Sequence, residues 1–486
     1  MKTSIKIVGA FIAIGMLACS CNKQFEQNPS NAVPGGGAFN TVKDFNVACL
    51  GMYYEMTHTE YYLAGSDDPV SWISTMDLMA DNLISQQTGR GSQRSFGNWQ
   101  YNASNTTGMF ADAYSIIRAA NSILENIGNV GDAPERANFE GEALTVRAMV
   151  HFDLLRIYSR PVSGPQAAPN GLGVPYVTTT DINDAPGRGT VKDAYDKVVA
   201  DLVRAVDLIN ASNGSGRLNK AATYALLSRV YLYGGEWQKC VDASSACLAI
   251  KNDPGSITTF PGIWTDQSEA GVIFKLMIKT QDRLGGQPIL IGNGYSQSIS
   301  GSIKSEWVAA HSLALMYDTL KDVRAKAYLV NATFGGQKYR AIAKHLGRPG
   351  GTPRMVDLKY LRVAEVILNR AEAYTQLNSD ATALEDLDLL RKNRYTPFTA
   401  GAETGEALKK AIAKERRLEM AFEGDRWFDL KRKGLPVARD QFGDYADGTG
   451  TPYFVKDLPA GDPRWQLPLG QRYINANANL EQNPGY

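Results

Sequence analysis

The 486-residue sequence contains little of what enzymes and nucleic-acid-binding proteins commonly use. It has only four histidines, and none lies three or four residues from another, as a helical metal motif requires. No Gly-x-Ser-x-Gly elbow occurs, which leaves a serine hydrolase of that type unsupported. The formal net charge is +1, so nothing favours nucleic acid as a partner. The sequence therefore predicts a protein that is not an enzyme and that holds no cofactor and no metal.

Two acidic patterns leave alternatives open. Asp67 and Asp68 could supply half of a glycosidase carboxylate pair, although adjacent acids in a loop are more commonly solvated. Loop oxygens of aspartate and asparagine side chains could also bind calcium. Neither pattern is specific enough to assign a site.

Cysteine is scarce as well, because only five occur, and their scatter argues against a disulfide framework. Cys240 and Cys247 lie on one predicted helix and are separated by roughly 10 Å of helical rise, which is too far for a disulfide. Cys49 is predicted to be a buried apolar residue.

The remaining two cysteines, Cys19 and Cys21, follow a basic start and a short apolar run at residues 7–18. That run is too short to span a bilayer and is typical of a secretory signal. A signal that ends in small residues and cysteine resembles a bacterial lipoprotein signal, in which the cysteine thiol is acylated. We therefore predict a signal peptide at residues 1–20 and a tether at residues 21–40, which are rich in Asn, Pro and Gly.

What the sequence does contain is a repeated helical rhythm. Glu140–Tyr158 has apolar residues on two sides, which is typical of a helix packed between two others. Asn219 is a predicted cap for the helix Ala221–Tyr233, and a second helix follows the Gly234-Gly235 turn. Several such hairpins must stack to bury their apolar faces. The predicted fold class is all-α, with tetratricopeptide-like stacked helical hairpins, loop insertions and a small β element.

The predicted domain is a single helical body over residues 41–486. Its parts are an N-terminal section at 41–253, a strand and loop insertion at 254–305, and a C-terminal helical section at 306–486. Glycine, serine and proline break the helical pattern within the insertion.

The stretch from Arg416 to Gly434 (RRLEMAFEGDRWFDLKRKG) mixes charges with large apolar residues. A helix is predicted up to Gly424, which can adopt the left-handed conformation, and Asp425 is predicted to cap a second helix. Ions beside Phe and Trp need partners when they are buried. We therefore predict a structural ion network that fixes these helices to the body, rather than a set of catalytic acids.

This stretch also resembles the C-terminal signature of the SusD/RagB family of surface glycan-binding lipoproteins. The resemblance continues in Tyr360–Tyr374 (YLRVAEVILNRAEAY), in Leu467-Pro-Leu and in Asn483-Pro-Gly-Tyr486. Glu142–Leu154 (EALTVRAMVHFDL) is similar to the family's N-terminal signature. The resemblance covers nearly the whole mature chain.

The resemblance implies a function, a location and a partner. It implies a lipid-anchored, surface-exposed protein of the outer membrane that captures oligosaccharides and delivers them to a SusC-type TonB-dependent transporter. The run from Cys21 to Pro29 is similar to the start of the family's mature chains, so Cys21 is the favoured lipid anchor and Cys19 the alternative. Two other functions remain open, namely a peptide-binding lipoprotein of a similar transporter complex and a structural tetratricopeptide adaptor.

A sugar site needs ring faces for C–H surfaces and planar polar side chains for hydroxyl groups. The best local set follows the long irregular segment at residues 61–100 and comprises Arg94, Asn98, Trp99, Tyr101 and Asn102. In family members the ligand platform also draws on the middle, strand-bearing part, and the resemblance therefore adds Tyr295 and Trp307. Each ring could instead pack the loops onto the helical body.

Overall fold

The structure, a computed structural model, describes residues 38–58, 61–63, 71–86, 90–284, 286–299 and 302–486. The side chains of residues 297–299 and 302 are not part of that description. The predicted signal peptide, both candidate anchor cysteines (Cys19 and Cys21) and the Asp67-Asp68 pair lie outside the described residues. Cys49 is buried and Cys240 and Cys247 form no disulfide, as predicted, and all three are buried free thiols.

The body consists of helices that stack in pairs. In chain order the helices are α1 (Val42–His58), α2 (Trp72–Met79), α3 (Arg94–Gly97), α4 (Met109–Asn126), α5 (Arg136–Tyr158), α6 (Val191–Leu208), α7 (Lys220–Gly234), α8 (Trp237–Ile250), α9 (Phe260–Ile263), α10 (His311–Met316), α11 (Val323–Tyr328), α12 (Val363–Gln376), α13 (Asp380–Lys392), α14 (Gly405–Glu419), α15 (Asp425–Arg432) and α16 (Gln471–Ala476). Helix α4 packs against α5, α5 against α6, α6 against α7, and α7 against α8. Helix α12 packs on α8, and both α13 and α14 pack on α12. The predicted all-α, tetratricopeptide-like fold is confirmed.

Local chemistry explains where these helices begin and end. The Asn219 side chain accepts a hydrogen bond from the backbone N–H of Ala222, which is the predicted cap of α7. Gly235 closes α7 with a φ of 69°, a conformation that glycine adopts without strain. Helix α5 is buried on nearly all sides, as its two apolar faces predict.

Short strands form two-stranded antiparallel pairs within the described residues. They are β1 (Leu83–Ser85) with β7 (Trp307–Ala309), β2 (Val272–Leu276) with β10 (Leu358–Arg362), β3 (Arg283–Leu284) with β4 (Gln287–Pro288), β5 (Gln297–Ile299) with β6 (Ser302–Lys304), β8 (Leu329–Phe334) with β9 (Gln337–Ile342), and β11 (Val437–Ala438) with β12 (Asp457–Leu458). Because β1 pairs with β7, the segment after α2 lies against the middle part of the chain, where Ser85 is opposite Trp307.

Several sequence predictions of local structure are wrong. The sequence pattern predicts helices from Trp307 toward Tyr317 and over Tyr360–Leu377, but Trp307 lies in β7 and Tyr360 lies in β10. The helix predicted to continue to Gly424 ends at Glu419, and Gly424 (φ 75°) instead precedes α15. Asp425 does not cap α15, because its carboxylate pairs with the Arg416 guanidinium at 2.7 and 2.9 Å.

The predicted structural ion network is confirmed. Glu419 is fully buried, and its carboxylate accepts hydrogen bonds from Arg324, Arg362 and Arg394 at 2.7–3.2 Å. Burial alone would raise the pKa of Glu419, but these three guanidinium groups outweigh it and hold that pKa well below the usual range. The network joins α14 to α11, to β10 and to the end of α13.

A C-terminal segment closes the body. The Asn483 amide nitrogen donates to the carbonyl oxygens of Tyr158 (2.8 Å) and Leu467 (2.7 Å). The Asn483 amide oxygen accepts from the Arg188 guanidinium at 2.9 Å, and Arg188 also donates to the Tyr158 carbonyl at 3.0 Å. These hydrogen bonds therefore hold the end of α5, the segment at Leu467 and the C-terminal segment together, although they are far apart in sequence.

Within the described residues, no helix combines the length and the apolar character needed to cross a bilayer.

Candidate functional site

The four rings predicted to form a sugar platform lie inside the protein. Trp99 is 2% exposed, Tyr101 4%, Tyr295 1% and Trp307 0%. The prediction that these rings offer their faces to a ligand is therefore wrong in this structure. Two contacts explain this burial: Trp307 belongs to β7, which pairs with β1, and the Arg439 guanidinium packs on the Trp99 ring.

Tyr295 and Trp307 pack against each other in the protein interior. Their rings meet edge to face, with centroids 5.5 Å apart, and the Trp307 indole N–H donates to the Ser92 carbonyl at 3.3 Å. Gly294 lets the chain pass over the Trp307 ring, since a Cβ there would lie 2.5 Å from that ring. The Tyr295 hydroxyl donates to the buried Asp77 carboxylate at 2.6 Å.

Trp99 belongs to a stack built around Arg439. The Arg439 guanidinium lies between two rings, 4.2 Å from the Trp99 centroid and 4.8 Å from the Tyr453 centroid. Burial lowers the pKa of Arg439 to about 10, so the side chain remains charged at neutral pH. The guanidinium donates to the backbone carbonyl oxygens of Leu78, Met79, Ala80, Gly97 and Val455.

A surface cleft of about 310 Å³ lies beside this stack, and we call it the Phe454 cleft. Two of the predicted residues, Arg94 and Asn98, line it and are half-buried. The Phe454 ring is 73% exposed on its rim. Its other lining residues are Leu78, Leu83, Ile84, Ser85, Gly97, Arg439 and Tyr453. The cleft thus combines one open ring with an amide and a guanidinium.

Two hydroxyl groups of the Phe454 cleft have unused hydrogen-bonding capacity. The Ser85 and Tyr453 hydroxyl oxygens have no hydrogen-bond partner in the part of the chain that the structure describes. Buried polar groups normally have a partner, either from the protein or from water. Both oxygens are buried atoms of the lining, where a water molecule or a ligand hydroxyl can supply the partner.

A polar cluster surrounds Glu306, the residue that immediately precedes β7. The half-exposed Arg90 guanidinium pairs with the Glu306 carboxylate at 2.6 Å, and Arg354 contacts the Asn293 amide oxygen at 3.4 Å. Burial, followed by the charge of Arg90, lowers the pKa of Arg354. The backbone N–H of Ser92 donates to Glu306 at 3.2 Å. Planar polar side chains are therefore concentrated around Glu306.

Asn102, the last of the predicted residues, is exposed but lies outside the cleft lining. Its amide oxygen accepts from the backbone N–H groups of Ser104 and Asn105, so it stabilises a turn.

A second open cleft of about 710 Å³ lies between α4 and residues 175–186. Exposed Arg118 and Ile182 line it, together with Tyr114. The Tyr114 hydroxyl already donates to the Pro175 carbonyl at 2.8 Å. We call this surface the α4 cleft.

The histidines and acids suggest no reaction centre among the described residues. His151 and His345 are buried against backbone groups, and burial lowers the pKa of each to about 3. No group of three or more His, Cys, Asp or Glu residues in the described ranges is arranged to hold a metal ion.

Comparison with known proteins identifies the family. A family model described as "Starch-binding associating with outer membrane" matches residues 54–232, and one described as "SusD family" matches residues 324–486. SusD-like protein P2 of Formosa agariphila is 25% identical, and the alignment covers 99% of each chain. The chain belongs to the SusD/RagB family.

Solved structures share the fold of this chain. A SusD superfamily protein from Bacteroides thetaiotaomicron has a TM-score of 0.79 at 25% identity, with 91% of this chain and all of that chain covered. Surface glycan-binding protein A from Bacteroides fluxus has the same fold, with a TM-score of 0.73 at 20% identity and coverage of 92% and 99%. The SusD/RagB family is a carbohydrate-binding family associated with the outer membrane.

Sequence reasoning on this SusD/RagB chain missed Phe454, Tyr453 and Arg439. The available signal was an aromatic pair that directly follows the polar, glycine-rich run at residues 443–452. Aromatic residues on such loops are typical of ligand-binding surfaces.

Asp77 should make the stability of this SusD/RagB protein depend on pH. Burial raises the pKa of Asp77 from 3.8 to about 7, although the Tyr295 hydroxyl and the Gly424 N–H both donate to its carboxylate. The pKa of Asp77 in the folded protein lies above its value in the unfolded chain. The stabilisation contributed by the protonated Asp77 carboxyl group is therefore fully present below about pH 4 and is lost as the pH rises through 7. We expect wild type to lose about 2–3 kcal/mol of unfolding free energy between pH 5 and pH 8 relative to Asp77→Asn.

Urea unfolding at several pH values measures this difference. Asp196→Asn, an exposed acid on α6 that pairs with Lys192, is the control and should follow the wild-type curve. Parallel curves for wild type and Asp77→Asn over this range would contradict the prediction.

Proposed function

We propose that this protein captures oligosaccharides at the cell surface and delivers them to a SusC-type TonB-dependent transporter in the outer membrane. The observation that carries the binding step is the Phe454 cleft, where an exposed ring adjoins Arg94 and Asn98. Family membership supports a carbohydrate ligand. The transporter is proposed from the family alone.

The chemistry of the cleft suits a sugar. One face of a pyranose ring is apolar and can pack on the Phe454 ring, while its hydroxyl groups need donors and acceptors. The Asn98 amide offers a donor and an acceptor, and the Arg94 guanidinium offers donors. The hydroxyl groups of Ser85 and Tyr453 have no hydrogen-bond partner among the described residues. A ligand that lacks matching hydroxyls would leave these groups unpaired, and such mismatches give selectivity.

We also propose that the protein is held at the outer membrane by acyl chains on Cys21, with Cys19 as the alternative. Acyl chains anchor a protein because each buried CH₂ contributes about 0.8 kcal/mol. Incorporation of labelled palmitate into wild type, Cys21→Ala and Cys19→Ala tests the proposal. Label that survives in Cys21→Ala and disappears in Cys19→Ala would move the anchor to Cys19.

Phe454→Ala is expected to weaken glycan binding strongly. Loss of a stacking ring that contributes about 1–2 kcal/mol corresponds to roughly a tenfold lower affinity. The protein lacking residues 1–21 is first screened by retention in polysaccharide affinity gels, and the variant is compared on each glycan that wild type binds. Phe442→Ala is the matched control, because Phe442 is an exposed phenylalanine of the same region outside the cleft.

Other outcomes would redirect the proposal. Unchanged retention of Phe454→Ala together with reduced retention of Arg118→Ala would move the sugar site to the α4 cleft. Binding of peptides from surface protein digests, with no glycan retained, would instead favour the peptide-binding lipoprotein.

A further inference from the structure

The outer side of helix α1 carries an apolar stripe. The exposed residues of α1 recur every three to four positions along one side of the helix, and they are Lys43, Val47, Leu50, Gly51 and Tyr54. The side chains of Val47, Leu50 and Tyr54 are 57%, 50% and 56% exposed. No other helix in the described ranges exposes more than one large apolar side chain. We call these five residues the α1 stripe.

Such a stripe is unusual on a helix whose inner side is already packed. Phe45, Met52 and Met56 of α1 are fully buried in the body. Helix α6, by contrast, turns charged residues outward, among them the paired Lys192 and Asp196. A helix that is apolar on both sides normally packs on both sides, as α5 does. Single exposed apolar residues need no explanation, but an aligned set indicates an interaction surface.

The α1 stripe is held in a fixed shape. Before it begins, the Asp44 carboxylate accepts hydrogen bonds from the backbone N–H and the hydroxyl of Thr41, both at 2.9 Å. At its end the His58 ring stacks on the Tyr54 ring, with centroids 3.6 Å apart and an interplanar angle of 12°. A Cβ at Gly51 would meet no neighbouring atom within 4 Å, so the middle of the stripe is open. A flat partner can therefore lie along the helix.

The composition of the α1 stripe suits a lipid surface. Lys43 is the one exposed charge of α1, all of which the structure describes, and the two acids of this helix, Asp44 and Glu55, are partly buried. A helix at a bilayer surface places apolar side chains among the lipid headgroups, and its lysines are attracted to anionic lipids. Tyrosine is enriched at that boundary because its ring is apolar and its hydroxyl is polar.

The position of α1 along the chain indicates which surface is near. Residues 22–41 separate the proposed lipid anchor at Cys21 from Val42, the first residue of α1. A segment of this length spans at most roughly 70 Å. A surface linked to the membrane in this way meets it at an effective concentration of the order of millimolar, so even a weak contact is populated. A stable interface with a separate protein needs about 800 Å² on each partner, which is more than three half-exposed side chains provide.

We propose that the α1 stripe lies on the lipid surface of the outer membrane and orients the body above it. This proposal rests on the lipid anchor of the proposed function. Val47, Leu50 and Tyr54 enter the headgroup region, and Lys43 faces the lipid phosphates. The anchor supplies attachment and the α1 stripe supplies orientation, so the Phe454 cleft keeps one position relative to the membrane.

A fluorescent label on the α1 stripe tests the contact. The protein lacking residues 1–21 is tethered through an N-terminal hexahistidine tag to vesicles of phosphatidylethanolamine and phosphatidylglycerol in equal parts, which also contain a nickel-chelating lipid. Gly51→Cys carries a nitrobenzoxadiazole label, because Gly51 is exposed and a Cβ there has room. The other cysteines of this protein are buried and stay unlabelled. We expect tethering to raise the emission severalfold, because the label leaves water.

Two controls connect the signal to the α1 stripe. Val203→Cys places the label on α6, where Val203 is 47% exposed and the other exposed residues are mostly charged, and its emission should not change. In the Gly51→Cys protein, Val47→Glu together with Leu50→Glu should abolish the increase, because carboxylates are costly to remove from water. Both substitutions are at exposed positions, so the melting temperature should remain that of wild type.

The proposal is overturned if tethering leaves the label at residue 51 unchanged, if the label at residue 203 responds equally, or if the response survives the two glutamates. A response that appears without vesicles as the protein concentration rises would assign the α1 stripe to a second copy of the chain, and would also overturn the membrane contact. The tag replaces the acyl chains, so these results do not depend on acylation of Cys21. Absence of palmitate from wild type would contradict the anchor alone.

Discussion

Glu419→Gln is expected to lower the free energy of unfolding by about 3–5 kcal/mol, since it leaves buried charge without compensation. Arg324 keeps its contacts with Asp322 and Glu415, and Arg362 keeps Glu423. Arg394 has no other carboxylate partner in the described part of the chain and retains only backbone carbonyl oxygens. Because whole-protein stabilities are about 5–15 kcal/mol, this one atom change removes a large share.

Urea unfolding monitored by circular dichroism measures the effect at pH 7. Glu406→Gln is the matched control, because Glu406 is an exposed residue of the same helix and its solvent-screened pair with Lys409 contributes little to stability. The pKa of Glu419 is held below its unfolded value, so its contribution is present above about pH 4.3 and is lost as the pH falls through the folded pKa. Equal unfolding midpoints for Glu419→Gln and Glu406→Gln at pH 7 would show that the network does not stabilise the fold.

Arg439→Gln is expected to cost about 3 kcal/mol or more and to remove glycan binding at the Phe454 cleft. Five backbone carbonyl groups lose a charged donor, and each such hydrogen bond contributes about 1.5–3 kcal/mol when it is isolated. The variant also loses the cation between the rings of Trp99 and Tyr453, so one wall of the cleft loses its support. Stability and binding should therefore fall together.

Urea midpoints, near-ultraviolet circular dichroism of the tryptophans and retention on the glycan gel provide the readouts. Arg464→Gln is the control, because Arg464 is a partly exposed arginine that pairs locally with Asp462. Phe454→Ala provides the contrast, since it should weaken retention without changing the urea midpoint. An Arg439→Gln protein with wild-type stability and wild-type retention would contradict the assigned role.

The helical body could be predicted from the sequence because its signals are local. Apolar periodicity in α5, the Asn219 cap and the glycine turn before α8 each act within a few residues, and each matches the structure. The local pattern predicts a helix that continues to Gly424, which is longer than the observed α14. The actual end at Glu419 is accompanied by long-range bonds from Arg362 and Tyr328 to the Glu419 carbonyl oxygen, which no local pattern shows.

The candidate site could be predicted only in part. Arg94 and Asn98 line a cleft, but Trp99 and Trp307 are buried by contacts with Arg439 and by the pairing of β1 with β7. Those contacts join residues hundreds of positions apart, and the sequence carries no periodic signal for them. The aromatic residues chosen from polar segments are therefore core residues, and the exposed ring of the Phe454 cleft lies in another segment of the chain.

The bonds of Asn483 have a consequence for how the protein matures. The Tyr158 carbonyl acquires its Asn483 donor only when a residue 325 positions further along the chain has been made. Until then α5 and the segment at Leu467 are not joined, so a nascent or interrupted chain lacks this closure. The export that we propose for this chain requires a polypeptide that can thread through a translocation channel, and late closure of this kind favours passage before folding.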